Sequence, residues 1–329
     1  MDHCGILMEN GLPCDREVMN GEIYCIFHLP NKQGHQIEEF REAFNGLINN
    51  LREKKSELYD FSYFDIPIDL DLGETPTLIF NKAVIRGEIN SKVNKEGFFE
   101  TWLNKIDCQY TVFENKVNFS GVIFKDQVNF SGATFNDAVE FTGDRFEKEV
   151  DFSSTIFKGR VFFFENHYKE KASFHFAKFM EETKFVGQTF YKDTDFRFSV
   201  FDKDINFGHI IFGKDADYSQ IKFNLAVRFY KIYCLGKMEF YSTDFFGGAV
   251  FLNYYPQTLV DFTESTFHEQ FILKRGKRGL QGLPISDDQY DLKYPFLILQ
   301  LATFKKPETV VISGFPLSKT SFICFVDYH

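Results

Sequence analysis

Val117-Asn118-Phe119-Ser120-Gly121, Val128-Asn129-Phe130-Ser131-Gly132, Val139-Glu140-Phe141-Thr142-Gly143 and Val150-Asp151-Phe152-Ser153-Ser154 follow one another at eleven-residue intervals and repeat one short text. From Phe119 to Phe262 an aromatic residue returns at that interval fourteen times, through Phe163, Phe185, Phe207, Tyr218, Phe229 and Phe251. A second series stands five residues after the first: Phe124, Phe135, Phe146, Phe157, Tyr168 and onward to Phe223, then Cys234, Phe245, Pro256 and Phe267. Steps of five and six fit neither the two-residue period of a strand nor the 3.6-residue period of a helix over a long stretch. Each motif is therefore a short strand followed by a turn. Two positions before each first-series aromatic stands Val, Ala, Thr, Ile or Met, so that a small or branched residue, a polar residue and an aromatic alternate as in a strand. The Ser, Thr, Gly, Asn and Asp that follow are turn formers. A right-handed helical supercoil also has an eleven-residue repeat. Its seam would be rich in Ala and Leu three and four apart, whereas here Phe and Val lie five and six apart and Gly or paired β-branched residues recur, at cumulative cost to a helix.

The runs Val-Asn-Phe-Ser-Gly, Ala-Thr-Phe-Asn-Asp and Val-Asp-Phe-Ser-Ser resemble the five-residue units of pentapeptide-repeat proteins, over about residues 105–270. The resemblance implies an all-β solenoid, a right-handed quadrilateral β-helix with one unit per face and the central Phe inward. One extra residue in every second unit makes the expected coil 22 residues rather than the usual 20. Phe119, Phe141, Phe163, Phe185, Phe207, Phe229 and Phe251 then stack as one ladder, and about seven coils make a rod of roughly 30 to 35 Å at the spacing of neighbouring strands. Its interior is filled by its own aromatic rings, which leaves the outside for function.

The expected organisation is a Cys/His module over 1–32, an amphipathic capping helix over 33–58, irregular first coils over 59–104, the regular β-helix over 105–270, and a basic loop with an irregular C-terminal coil over 271–329. In the first segment Cys4, Cys14, Cys25 and His28 read C-x9-C-x10-C-x2-H. Three thiolates and an imidazole suit tetrahedral Zn²⁺, the C-x2-H arm resembles half of a zinc knuckle, and four ligands with no open position describe a structural site. The alternative is three buried, reduced cysteines beside an incidental histidine, and His3 competes as a ligand. Cys108 and Cys234 fall in aromatic slots and are expected to stand in for Phe in the core. Ile37, Phe40, Phe44, Leu47, Ile48 and Leu51 mark one helical face, which either covers the first coil or forms a homodimer contact. Beyond Phe267 the frame is lost at Lys274-Arg275-Gly276-Lys277-Arg278-Gly279, and strand character returns at Val310-Val311-Ile312-Ser313 and Leu317-Ser318-Lys319-Thr320-Ser321-Phe322. The text then stops at His329 without a visible cap, so a further coil or domain is expected.

The 44 Phe against one Trp are accounted for by the repeat. No apolar run reaches the ~18 residues of a membrane span, and Pro295–Leu301 is too short. Without a signal-peptide core the expected compartment is the cytoplasm. Net charge is −10, yet residues 111–270 carry 23 Asp plus Glu against 18 Lys plus Arg, a mildly acidic rod with no expectation of direct nucleic-acid binding. No P-loop, dinucleotide-binding, zinc-protease or serine-hydrolase pattern occurs, His167, His175, His209 and His268 lack companion ligands, and no catalytic residue is assigned. The outward Asp151, Asp195, Asp217 and Asp261 raise duplex mimicry, since some pentapeptide-repeat proteins resemble DNA and act on DNA gyrase. The leading expectation is a non-enzymatic scaffold for a protein partner, and a DNA-mimicking regulator of a topoisomerase is the alternative.

Overall fold

The computed structural model describes residues 4–8, 12–19, 23–72, 77–91, 101–276, 296–315, 320–321 and 324–325. Val117 pairs in parallel with Val139, Val139 with Val161 and Val161 with Thr183, so one coil takes 22 residues. Within a coil the chain visits four faces in turn. Face 1 holds Val117–Asn118, Val139–Thr142, Val161–Phe164 and Thr183–Val186, and face 2 holds Val122–Phe124, Arg145–Phe146, His167–Tyr168 and Thr189–Phe190. Face 3 holds Val128–Asn129, Val150–Asp151, Ala172–Ser173 and Thr194–Asp195, and face 4 holds Thr134–Phe135, Ile156–Phe157, Lys178–Phe179 and Val200–Phe201. Faces 3 and 4 are each 12-stranded parallel sheets, about 50 Å long at the usual strand spacing. Faces 1 and 2 join into a 16-stranded sheet where Ile205–Phe212, Val227–Cys234 and Ala249–Pro256 carry the ladder around the corner between them.

The core is four columns of stacked rings. On face 1, Phe119, Phe141, Phe163, Phe185, Phe207, Phe229 and Phe251 stack at centroid spacings of 4.5–5.4 Å. Opposite them, on face 3, Phe130, Phe152, Phe174, Phe196, Tyr218, Phe240 and Phe262 stack at 4.6–5.3 Å. The two columns meet edge to face, as Phe174 does with Phe185 (5.4 Å, 89°) and Phe185 with Phe196 (5.5 Å, 85°), which places the positive edge of each ring on the negative face of the next. The small residue two positions earlier is buried in every coil, from Val117 to Val260, so the strand-like alternation holds. Cys234 is fully buried in the face 2 column, where the aromatic stack ends at Phe212, and Cys108 is likewise core.

Two corners of the square have left-handed backbone. One runs through Tyr110, Gly132, Ser154, Phe176, Phe198, Gln220, Ser242 and Glu264, the other through Gly121, Gly143, Glu165, Gly187, His209, Lys231 and Asn253, all with positive φ. Gly132 is required twice over, because a Cβ there would also stand 2.5 Å from the Tyr110 ring. The side chain after each such residue turns inward, and Thr155, Asn166, Gln188, Ser199, Thr243 and Ser265 each donate to the carbonyl of an aromatic residue 25 positions back. Thr155 Oγ1 bonds Phe130 O (2.8 Å), Ser199 Oγ bonds Phe174 O (2.7 Å), Asn166 Nδ2 bonds Phe141 O (2.8 Å) and Gln188 Nε2 bonds Phe163 O (2.8 Å). These bonds satisfy corner carbonyls that the short strands leave unpaired inside the core.

The solenoid extends past the regular text at both ends. The first coils are shorter, Leu58 pairing with Thr77 and Asp65 with Val84, a step of 19 residues. The next step, Val84 to Val112, takes 28 residues and contains the undescribed 92–100. Beyond Phe267 the aromatic frame is interrupted rather than ended. The coil that includes 277–295, outside the described residues, takes 37, after which Phe304 stacks on Phe267 (4.9 Å, 9°) and Leu297, Leu299 and Ala302 are buried. The apolar run after Pro295 is thus a core strand, Phe296–Ile298. Val310–Ser313 extends face 1, Thr320–Ser321 is a strand of face 3, and the remainder of the Leu317–Phe322 unit lies outside the described residues.

At the other end helix α1, His35–Glu53, buries Phe40 and Phe44. Phe44 meets Phe61 of the first coil at 5.1 Å and Phe40 meets Phe27 at 5.8 Å, so α1 covers the end of the solenoid. Its edges would otherwise expose unpaired strands. Among the described residues no helix is long and apolar enough to cross a membrane.

Candidate metal centre

A short hairpin, closed by the antiparallel bridge between Leu7 and Pro13 and by Cys14 N donating to Ile6 O (2.8 Å), sets Cys4 beside Cys14. Gly5 N donates to Ile23 O (2.8 Å) and ties this hairpin to the next segment. There His28 N and Leu29 N both donate to Cys25 O, at 3.0 and 2.9 Å, in a single turn that points Cys25 and His28 the same way. All four side chains are buried and their ligand atoms lie within 4.8 Å of one another. His28 Nδ1 stands 3.3 Å from Cys4 Sγ and 3.4 Å from Cys25 Sγ. With ordinary Zn–S and Zn–N bonds a tetrahedron has S···N edges of about 3.5 Å and S···S edges of about 3.8 Å, so the donor set fits a tetrahedral thiophilic cation. His3, the competing ligand, lies outside the described residues.

The electrostatics agree with a site that lacks its own counter-charge. Burial pushes the Cys25 thiol up to about 12, against the pull of backbone N–H groups of His28 and Phe27, and the neighbouring thiols add to the rise. Burial, with the charges of Arg16 and Lys32, pulls His28 down to about 4, opposed by the backbone of Ser62. The imidazole is therefore neutral at pH 7 and free to offer Nδ1, while the Cys25 thiol needs a cation to ionise.

The residues that seat this module were not evident in the sequence. Lys32, itself buried, donates to Leu29 O and Asp65 O (both 2.6 Å) and lies 3.5 Å from Asp65 Oδ1. Arg86 grips Asp65 with Nε and Nη2 and reaches Glu114 Oε1 at 2.5 Å, and Asp65 N donates to Phe27 O (2.8 Å). Arg16 lies over the rings of Phe27 (4.8 Å) and Phe64 (5.1 Å). A buried lysine four residues past a Cys/His arm carries no distinctive spacing, and its partner Asp65 sits in a 19-residue coil outside the regular 22-residue frame.

The rod offers no comparable constellation among the described residues. His167, His175, His209 and His268 face outward, His268 stacked on Phe246 (4.5 Å). The open depressions of its surface mix signs, as at Glu182, Lys184, Asp204 and Arg228. The Asp and Asn before the face 3 aromatics have a structural task. Oδ1 of Asn129, Asp151, Asp195, Asp217 and Asp261 accepts the N–H two residues on (2.7–3.0 Å), an Asx turn that shapes the corner.

A family model of pentapeptide repeats, nine copies, matches residues 119–165. No curated protein and no solved structure matches the chain. Residues 119–165 are thus similar to pentapeptide repeats, and the coil of the matched stretch continues in register to Phe267, with the same inward aromatics and the same corners.

Proposed function

We propose that the protein is a non-enzymatic scaffold of the cytoplasm, a rigid rod that presents its outer faces to a protein partner. The observation that supports this most is the closed interior: ring columns on faces 1, 3 and 4, with a fourth on face 2 that ends at Phe212 and continues as buried Cys234, fill the section from Phe119 to Phe267, so the variable side chains are those that face solvent. Cys4, Cys14, Cys25 and His28 hold Zn²⁺ as a structural staple, which folds a module too small for a core of its own. Lys32, Asp65, Arg86 and α1 then fix that module to the first coil.

Duplex mimicry is the second possibility, supported by one column, Asp195, Asp217, Glu239 and Asp261, in adjacent strands of face 3. Against it, a duplex presents two continuous phosphate rows. The face 3 column has Asn129 and Ser173 in its run, and Arg197 pairs with Asp195 (2.7 Å) and Asp217 (3.5 Å). Asp195, Asp217 and Asp261, like Asp151 lower in the column, also serve the corner turns, a reason for carboxylates that involves no enzyme. A gyrase supercoiling assay separates the two. The scaffold leaves supercoiling unchanged at micromolar protein, and inhibition at low micromolar protein that duplex DNA relieves would replace it with the mimic.

A further inference from the structure

Four strands on faces 1 and 2 of the C-terminal coils carry cations and no acid, with Glu182 and Asp204 across the depression beside Arg228. Strands Ile205–Phe212, Val227–Cys234, Ala249–Pro256 and Phe271–Arg275 contain Arg228, Lys231, Lys274 and Arg275 and no Asp or Glu, in a chain of net charge −10. Tyr230, Val250, Leu252 and Ile272 point outward between these cations. Lys231 lies over the Tyr230 ring at 5.4 Å. Arg228 stands in register with Val250 and Ile272, and Tyr230 with Leu252 and Lys274, so Arg228 and Lys274 are two strands apart on one face.

The chain visits its faces in the order 1, 2, 3, 4, which puts face 3 across the rod from face 1. There Asp217, Glu239 and Asp261 occupy three successive strands, so Asp217 and Asp261 are likewise two strands apart. Burial raises the Glu239 carboxyl, and Asp217, Asp215 and Asp261 add repulsion that Lys237 only partly offsets. The two faces are thus opposite in sign, and on each the two charges are two strands apart, Asp217 and Asp261 directly in register and Arg228 and Lys274 offset by two residues along the strand. Both are ladders of one parallel solenoid with strands every ~4.8 Å, so the strands of two copies stay in step over any length of contact. A phosphate chain or an irregular protein surface does not share that repeat.

We propose that the rods associate side by side, face 1 of one copy on face 3 of another, with Arg228 against Asp217, Lys274 against Asp261 and the apolar band between them covered. Such a contact uses different patches on the two copies, so it leaves a free face at each end of the pair and grows into open arrays. Each ion pair is exposed and individually weak, so assembly is cooperative in number and sensitive to salt.

Sedimentation velocity over a concentration series tests this. The wild-type protein is expected to gain mass beyond a dimer at about 20 mM salt and to be monomeric at about 0.5 M, where the screening length falls to a few ångströms. Arg228→Glu with Lys274→Glu should weaken association about tenfold or more. Asp217→Asn with Asp261→Asn, which keeps the corner turns as Asn129 does, should weaken it likewise with an unchanged thermal melt. A wild-type protein that stays monomeric at low salt, or association that survives both double changes, overturns the proposal. So does a low-salt monomer that binds heparin or a DNA oligonucleotide through Arg228 and Lys274, which would assign the face to a polyanion.

Discussion

Asp144 breaks the rule of its corner, and replacing it tests the logic of the core. Its neighbours up the column, Asn166 and Gln188, each donate to the carbonyl of Phe141 and Phe163 at 2.8 Å. The same register sets Asp144 against the carbonyl of Phe119. Oδ1 accepts Val122 N (2.7 Å), but Oδ2 is buried without a hydrogen-bond partner. A carboxylate cannot donate there, and a carboxylic acid can. Burial accordingly holds the carboxyl well above the usual range, with the N–H groups of Val122 and Gly121 pulling the other way and Glu140 adding to the rise. Because the folded value is raised, the stability this group contributes is fully present below the unfolded value near 3.9 and is lost as pH rises through the folded value. Keeping the proton at pH 7 costs about 1.4 kcal/mol for each pH unit above 3.9, a ceiling of about 4 kcal/mol. Asp144→Asn has the same shape, retains the bond from Val122 N and supplies a permanent donor. In urea melts at a series of pH values it should exceed the wild type by about 1 to 4 kcal/mol at pH 7, with the gap closing to under about 1 kcal/mol at pH 4. Parallel pH profiles, or a variant less stable than wild type at neutral pH, would refute the donor rule and the burial of a neutral acid.

Phe185→Ala removes a ring stacked between Phe163 (4.6 Å) and Phe207 (5.4 Å) and should cost about 3 to 5 kcal/mol in denaturant melts, while Lys184→Ala, an exposed neighbour, should be near neutral. Gly159→Ala puts a Cβ 2.3 Å from the Asp137 backbone one coil below and should cost at least about 1 to 3 kcal/mol, whereas Gly46→Ala on the open side of α1 should gain about 0.5 to 1 kcal/mol. Purified, reduced protein should hold one zinc per chain by metal analysis, Cys25→Ser should release it, and chelation should raise hydrogen exchange in residues 4–30 while the rod's far-UV signal persists. Less than a tenth of an equivalent would remove the metal from the account.

The aromatic period was legible because stacking is unforgiving. A slip of one residue in a coil would turn Phe163 outward and Phe162 inward, so the ring spacing in sequence maps directly to the ladder in space. The corners were legible only in part. Ser-Gly and Asn-Asp announce turns, but that the following residue must be small, apolar or a donor becomes visible only once Thr155, Asn166 and Ser199 are seen on the carbonyls of Phe130, Phe141 and Phe174. The excursions of the 28- and 37-residue coils hid the continuity of the ends, since a periodicity counts residues whereas Phe267 and Phe304 need only meet in space. Helix α1 is shorter than its expected 33–58, because Lys55 turns to φ 51° and Leu58 already pairs with Thr77. The long Cys spacings carried little signal, being set by a hairpin closed through backbone bonds rather than by a motif.

Affinity capture from the native cell, with the rod as bait in wild-type form and with outward residues changed on one face at a time, tests the scaffold most directly. The account predicts a specific protein that is lost on changes to one face only, retained when core-neutral changes are made elsewhere, and bound with modest dependence on salt. A DNA-handling enzyme captured through the Asp195–Asp261 column, released steeply as salt rises and displaced by duplex DNA, would contradict it.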